Sequence, residues 1–562
     1  MRQNKIITRF SILLGMLFFW GNSFAQISVS INQQTIKQII PQIEKTSGYN
    51  VFYTDKLPNL DTRKDLHVSN APLEAILKEL FKGTKITFEI KPNKQVLLFQ
   101  QANKPSGNRK QVPSKLLVEA ESFDRKGGWV VDQQFMDLMG SPYLMAHGMG
   151  VPVEDASTTI SFPEDGTYYV FVRTYNWTSP WYDGKGPGKF TLAVDNKKLP
   201  VVLGDEGKQW MWQPAGTVSV KAGSSSLTLK DLTGFNGRCD AIYFTTEKGQ
   251  LPPAQATQLT DFRKKMLDIP AEPEQYSYDV IVTGGGIAGM CAAATASRLG
   301  CKVALINDRP VLGGNNSSEV RVHLGGNIGV GPNSGLGRMI REFGHSKEGN
   351  AKPAANYEDE KKELFIANEK NITLYANYRA ISVKTDGNRI ESVIIKHIEN
   401  GKEVELKAPL FSDCTGDGTI GYLAGADYNM GRESRTEYGE ELAPIQPDKM
   451  TMGSSVQWYS ADKGKPTRFP IFSYGLQFNE KNCEKVTMGE WKWETGMNFN
   501  QIDDFERIRD YGLMVIYSNW SFLKNELKDN KKYKNRALDW VAYIAGKRES
   551  RRLLGRLYSK AR

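Results

Sequence analysis

Cysteine and histidine are both scarce in this 562-residue chain, with five of each. The cysteines (Cys239, Cys291, Cys301, Cys414 and Cys483) are odd in number and form no CxxC pair. Neither a thiolate metal cage nor a thioredoxin-type dithiol is therefore indicated, and buried free thiols are expected. The histidines make no HxxxH or HExxH pattern, which removes the usual basis for a histidine zinc site. Past the first 25 residues no segment carries ~18 consecutive apolar residues, so no membrane span is expected. Lysine and arginine outnumber aspartate and glutamate 73 to 63, for a net charge of +10. The excess is spread along the chain and not gathered into runs interleaved with aromatics, so no nucleic-acid partner is expected.

What is present indicates a multidomain protein, since a single core does not extend over this length. Residues 1–25 read as an export signal. Arg2, Lys5 and Arg9 precede the apolar run Phe10–Trp20, and Ser23 and Ala25 supply the small residues of a cleavage site before Gln26. The mature protein is then expected in the periplasm or on the cell surface of a Gram-negative bacterium.

Residues 26–101 alternate short strands with two amphipathic helices. Ile36, Ile39, Ile40 and Ile43 recur at helical spacing, as do Leu73, Ile76, Leu77, Leu80 and Phe81, giving a small α+β unit. The stretches IKQIIPQIEKTSGYNVFY and APLEAILKELFKGTKITFEI resemble the short N-terminal domain of secretins and TonB-dependent receptors. That resemblance implies a docking module for an envelope protein partner.

After a polar linker at 102–115, residues 116–246 carry short alternating strands separated by Gly, Pro and Asp, the pattern of an antiparallel β-sandwich. The opening LLVEAESF and closing GRCDAIYFTT resemble jelly-roll carbohydrate-binding modules. The resemblance implies a structural calcium held by Glu119, Glu121 and Asp240; salt-bridged or solvated carboxylates are the alternative. Trp177, Trp181, Trp210 and Trp212 either stack on sugar rings or pack in the core. A second linker, rich in proline, is expected over 247–277.

From 278 the chain carries a cofactor signature. The apolar strand YDVIVT runs into Gly284-Gly-Gly286-Ile-Ala-Gly289 and then the helix-favouring MCAAATASRLG. A GxGxxG between strand and helix lets the backbone approach a pyrophosphate at the helix N-terminus, which is the mark of an α/β Rossmann-like dinucleotide-binding fold. RPVLGG, with Gly313 and Gly314, and FSDCTGDG, with Thr415, Gly416 and Asp417, resemble two further motifs of two-dinucleotide-binding-domain flavoproteins. Together with SSEVRVHLGG and GKRESRRLLG they resemble the FAD-dependent oxidoreductase family whose members are often labelled xanthan lyase. The resemblance implies FAD as cofactor. The glutamate that normally takes the ribose is replaced by Asn307, and either Asn307 or Asp308 is left to do so.

Glu319, Arg321 and His323 alternate with apolar residues. On a strand they share one face, either as a polar surface or as a catalytic set in which His323 removes a hydroxyl proton and Arg321 steadies the oxyanion. Arg548, Arg551 and Arg552 either line the site or pair with carboxylates. Family members continue well beyond GKRESRRLLG, whereas this chain goes on as RLYSKAR. The resemblance therefore implies a flavin domain, residues 278–562, that is truncated at its C-terminus and holds FAD weakly. The expected activity is oxidation of a hydroxyl on a sugar or sugar-derived small molecule; the alternative is a non-catalytic carbohydrate-sensing adaptor with a degraded flavin domain.

Overall fold

A computed structural model describes residues 27–54, 57–91, 94–100 and 113–555, apart from 327, 328, 333, 345, 346, 348, 491 and 492. The export signal at 1–25, most of the first linker and the final RLYSKAR lie outside the described residues. The chain divides into two compact units, Met1–Gln111 and Val112–Arg562.

In the first unit, helix Ile36–Ser47 begins in a capping box. Thr35 Oγ1 accepts from Gln38 N, while the Gln38 side chain accepts from Thr35 N. It ends at Gly48, whose φ of 70° is a left-handed stop. Its buried face, Ile36, Ile39, Ile40 and Ile43, meets that of helix Leu73–Phe81 in one apolar core. Strand Ile27–Thr35 pairs antiparallel with Arg63–Ala71. A separate three-stranded sheet runs in the order Asn50–Phe52, Gln95–Gln100, Ile86–Lys91.

The second unit opens with two four-stranded antiparallel sheets packed face to face. One has the order Met211–Val220, Gly166–Thr174, Ala241–Thr245, Lys115–Glu119. The other has the order Lys197–Lys198, Phe190–Val194, Gly223–Asp231, Ala156–Phe162. Between them lie Val170, Val172, Leu192, Leu227, Leu229 and Phe244.

The segment expected to be a linker is not one. Residues 247–277 form helix Ala256–Met266 and strand Glu274–Ser277, the latter paired in parallel with Glu403–Lys407. The prolines at 252, 253, 270 and 273 flank the helix and do not interrupt it, so their composition marks boundaries only. Leu259 and Arg263 of this helix are buried against the sandwich.

Next comes a four-stranded parallel sheet. Strand β1 (Val280–Thr283) leads into helix α1 (Ile287–Arg298), then β2 (Val303–Asn307), β3 (Ile372–Ala376) and β4 (Leu410–Asp413), followed by the short helix α2 (Thr419–Leu423). The strand order is β3-β2-β1-β4. This places the carboxyl ends of β1, β2 and β4 side by side, the position where open α/β sheets bind ligands.

Helix α3 (Phe505–Asn525) is buried along most of its length. Its Leu513, Tyr517 and Trp520 share one core with Tyr143, Trp177 and Phe235 of the sandwich. A buried polar network runs through the same contact. Arg238 of the sandwich donates to Asp510 (Nη1 2.9 Å, Nη2 2.5 Å) and to Glu506 at 2.8 Å. In return Arg509 of α3 donates to Asp132 at 2.7 Å and to the Tyr143 hydroxyl at 2.9 Å. The sandwich is therefore an integral wall of the second unit.

Candidate functional site

The turn between β1 and α1 needs glycine for two separate reasons. Gly284 sits at φ 106°, and a Cβ there would lie 2.2 Å from the Cys414 carbonyl oxygen, so the backbone of the β4 loop touches this turn directly. At Gly289 a Cβ would lie 1.8 Å from the Gly284 carbonyl oxygen, which lets α1 close onto the loop. Gly286 is different. Its φ of −71° suits any residue, and a Cβ would meet only Gly314 Cα, at 3.8 Å. Beyond Gly286 lies a cavity of about 310 Å³. Among the described residues no side chain bonds to the first N–H groups of α1, which face that space.

The cavity is lined by Gly284, Gly286, Asn307, Asp308, Gly314, Thr415, Gly416 and Asp417. Gly289 and Gly313 stand behind the wall; Gly313 N donates to Gly285 O at 2.9 Å and ties the two glycine loops together. The two ribose candidates behave differently. Asn307 donates from its side-chain amide to Arg309 O at 2.7 Å and Val311 O at 3.0 Å, so both hydrogens shape the following loop. Asp308 lines the cavity and accepts from Arg379 Nη1 at 2.7 Å. Of the two, Asp308 presents a carboxylate to the cavity, while the Asn307 amide hydrogens are taken up by the loop.

Residues beyond the glycine loops also shape the site. Asp413, at the end of β4, accepts from Thr415 N and Oγ1 through one oxygen and from Ile420 N and Gly421 N through the other. It thereby fixes the Thr415–Gly416 turn and caps α2. Lys547 lines the cavity with its ammonium 3.0 Å from both oxygens of Asp417, while burial pulls its pKa below the usual lysine range. Arg379, Gln133 and Gln134 also line the cavity. Asp413 and Lys547 fall inside motifs recognisable in the sequence; the other three do not.

The proposed catalytic set is not assembled as expected. Residues 317–325 form a turn followed by irregular chain and not a strand, and Arg321 has a φ of 66°. Alternation therefore no longer puts the three side chains on one face. Glu319 faces Arg309 at 3.4 Å and the Tyr543 hydroxyl at 3.4 Å, and burial raises its pKa. Arg321 donates to Ser318 O at 2.8 Å and lies 3.9 Å above the Trp540 ring. His323 Nδ1 is 3.0 Å from Asn350 Oδ1. None of the three lines the cavity. Arg548 pairs with Glu494, Arg552 pairs with Glu433 and Glu549, and Arg551 covers the Tyr422 ring at 4.0 Å. Of the three only Arg551 bonds to the loop containing Asp417, through Asp417 O at 2.8 Å, and none of them lines the cavity.

The calcium expectation fails on charge. Arg263 donates to Glu119 at 2.8 Å and to Asp240 at 2.6 Å, and Arg173 donates to Asp240 at 2.8 Å. Two guanidinium groups thus stand where a cation was expected. Burial, reinforced by the charges of Glu119 and Asp240, raises Glu121 well above the usual carboxylate range. Among the described residues no group of three or more His, Cys, Asp or Glu is placed to hold a metal ion. The tryptophans are structural as well. Trp177 donates to Phe235 O, Trp210 to Glu506 and Trp212 to Pro253 O, while Trp181 packs on Tyr511.

A protein-family model described as FAD dependent oxidoreductase matches residues 279–560, half of the chain. A second, described as secretin and TonB N terminus short domain, matches residues 49–101. Among curated proteins, a soluble pyridine nucleotide transhydrogenase of Ectopseudomonas mendocina (strain ymp) is 37% identical over 68 residues, covering 12% of this chain and 13% of that protein. Among solved structures, Thermovibrio ammonificans THI4 is 18% identical over 34% of this chain and 80% of its own, with a TM-score of 0.22. L-proline dehydrogenase from P. horikoshii is 23% identical over 30% of this chain and 26% of its own, with a TM-score of 0.18. A family 35 carbohydrate binding module from Clostridium thermocellum is 16% identical over 23% of this chain and 97% of its own, with a TM-score of 0.20. Among the described residues no helix is long and apolar enough to cross a membrane.

Proposed function

The chain belongs to the FAD dependent oxidoreductase family, and from that premise we propose that it is an exported flavoenzyme oxidising a hydroxyl of a sugar or sugar-derived substrate. The observation that carries the reading is the cavity beyond Gly286, bounded by an uncapped helix N-terminus and an acid at the end of β2. These residues fit FAD. The glycine turn and the first N–H groups of α1 would hold its pyrophosphate, and Asp308 its adenosine ribose. FAD, when bound, supplies a two-electron acceptor. The chain's own residues orient it and close its cleft: Asp413 fixes the Thr415–Gly416 turn, and Lys547 holds Asp417.

Export rests on the apolar run Phe10–Trp20 and its flanks, and an envelope partner rests on the match over residues 49–101. The sugar class rests on the resemblance of the sandwich, not on a sugar-contacting residue, because its tryptophans are engaged in hydrogen bonds and ring packing within the protein. A second reading, a sugar-sensing adaptor without catalysis, is favoured by the placement of His323 away from the cavity. Anaerobic mixing of the FAD-reconstituted protein with a panel of mono- and oligosaccharides separates the two. Bleaching of the flavin absorbance by a sugar supports the enzyme. Bleaching by dithionite alone across the panel removes the sugar substrate.

A further inference from the structure

The cofactor cavity has a wall that its own domain does not supply. Gln133 and Gln134, from the sandwich, line it together with the glycine turn. Gln134 is fixed in place from both sides: its amide donates to Asp132 Oδ1 at 2.9 Å and to Tyr543 O at 3.0 Å, and its carbonyl accepts from Ala545 N at 3.0 Å. Three residues further on, Asp137 receives Arg379 through two bonds, Nε at 3.2 Å and Nη2 at 2.9 Å. The remaining arm of the same guanidinium donates to Asp308 at 2.7 Å. Arg379 is largely buried, its side chain only 13% exposed, whereas Asp137 is 39% exposed. Although burial pushes the Asp137 carboxyl up, the Arg379 charge reverses this and holds it below the usual range, so the pair is fully ionised at neutral pH.

A guanidinium is a planar fork, and two carboxylates on different edges fix its plane. Held only by Asp308, Arg379 could swing and take Asp308 with it. Held also by Asp137, it sets the direction of the one acid that lies where a doubly wound fold reads a ribose. We propose that the sandwich segment Asp132–Gly140 is part of the cofactor site, and that Asp137 is a positioning residue that, through Arg379, holds Asp308 toward the adenosine ribose. The proposal rests on the flavin reading above and deepens it: the sandwich serves the dinucleotide site directly.

The test is titration of the full chain with FAD and, separately, with ADP, which carries the adenosine and diphosphate but not the flavin. Wild type, Asp137→Ala, Asp137→Asn and a control sandwich variant, Asp165→Ala, are compared, with circular dichroism to confirm folding. Asp137→Ala is expected to weaken FAD and ADP alike by about tenfold, the scale on which groups behind a ligand-contacting residue act. Asp137→Asn should follow in the same direction, and Asp165→Ala should match wild type. Binding of both ligands by Asp137→Ala within twofold of wild type overturns the proposal. So does a loss confined to FAD, because that places the effect away from the adenosine end. A wild type that binds neither ligand overturns the flavin reading itself.

Discussion

Replacing Asp510 with alanine probes whether the sandwich and the flavin domain are one folding unit. Asp510, with a side chain 2% exposed, accepts two bonds from Arg238 and one from Arg509 Nε at 2.9 Å. Both arginine side chains are 0% exposed. Truncating Asp510 leaves two buried guanidiniums with only Asp132 and the partly shared Glu506 to balance them. Removing one partner of a buried ion pair typically costs ~3–5 kcal/mol, because the remaining charge is stranded away from water. The conservative Asp510→Asn keeps the shape and should lose less. Urea unfolding followed by tryptophan fluorescence reports on both sides, since Trp177 lies in the sandwich and Trp520 on α3, within one core. The expected result is a single transition for the second unit, shifted to lower urea by the full penalty with an unchanged slope. A shift below ~1 kcal/mol, or a sandwich transition that stays put while another moves, would refute the reasoning.

Two further outcomes follow from the same structure. Glu121, buried and raised well above its unfolded value of about 4.3, holds its proton to higher pH in the native state. Between the two values the native state binds more protons, so wild-type stability should fall as pH rises through that window and recover on acidification. Glu121→Gln should flatten the slope, and added calcium should leave the melting temperature unchanged; an unaltered slope in the variant, or a calcium-dependent rise, contradicts the arginine-balanced site. His323→Asn should bind FAD within twofold of wild type in a fluorescence titration, because the ring is held by Asn350 outside the cavity; a tenfold loss would put His323 back at the cofactor.

How far the sequence reaches depends on whether the relevant physics is local. The glycine turn 284–289 is a local device, and the same is true of the helical isoleucine spacing at 36–43 and the Thr35 cap; in each case the residues needed lie within about two helical turns of each other. The stretch from Glu319 to His323 shows where local reasoning fails. Its polar alternation is that of a strand, but among the described residues no strand pairs with it, and Arg321 adopts a left-handed conformation while stacking on Trp540. Arg263 was hidden in a proline-flanked stretch because its carboxylate partners, Glu119 and Asp240, lie far away in sequence. The Asp137–Arg379–Asp308 chain joins three residues with no spacing in common, so only the folded chain brings it together.

The central claim is that the space beyond Gly286 holds FAD. Gly286→Val is a clean probe, because its backbone angles accept valine and only the cavity lies in front of the new side chain. Titrating the full-length chain and this variant with FAD, by quenching of flavin fluorescence, is the most direct measurement. Saturable binding by the wild type, released intact on acid precipitation, with none by the folded Gly286→Val variant, is the predicted result; equal binding by both chains, or none by the wild type, would contradict it.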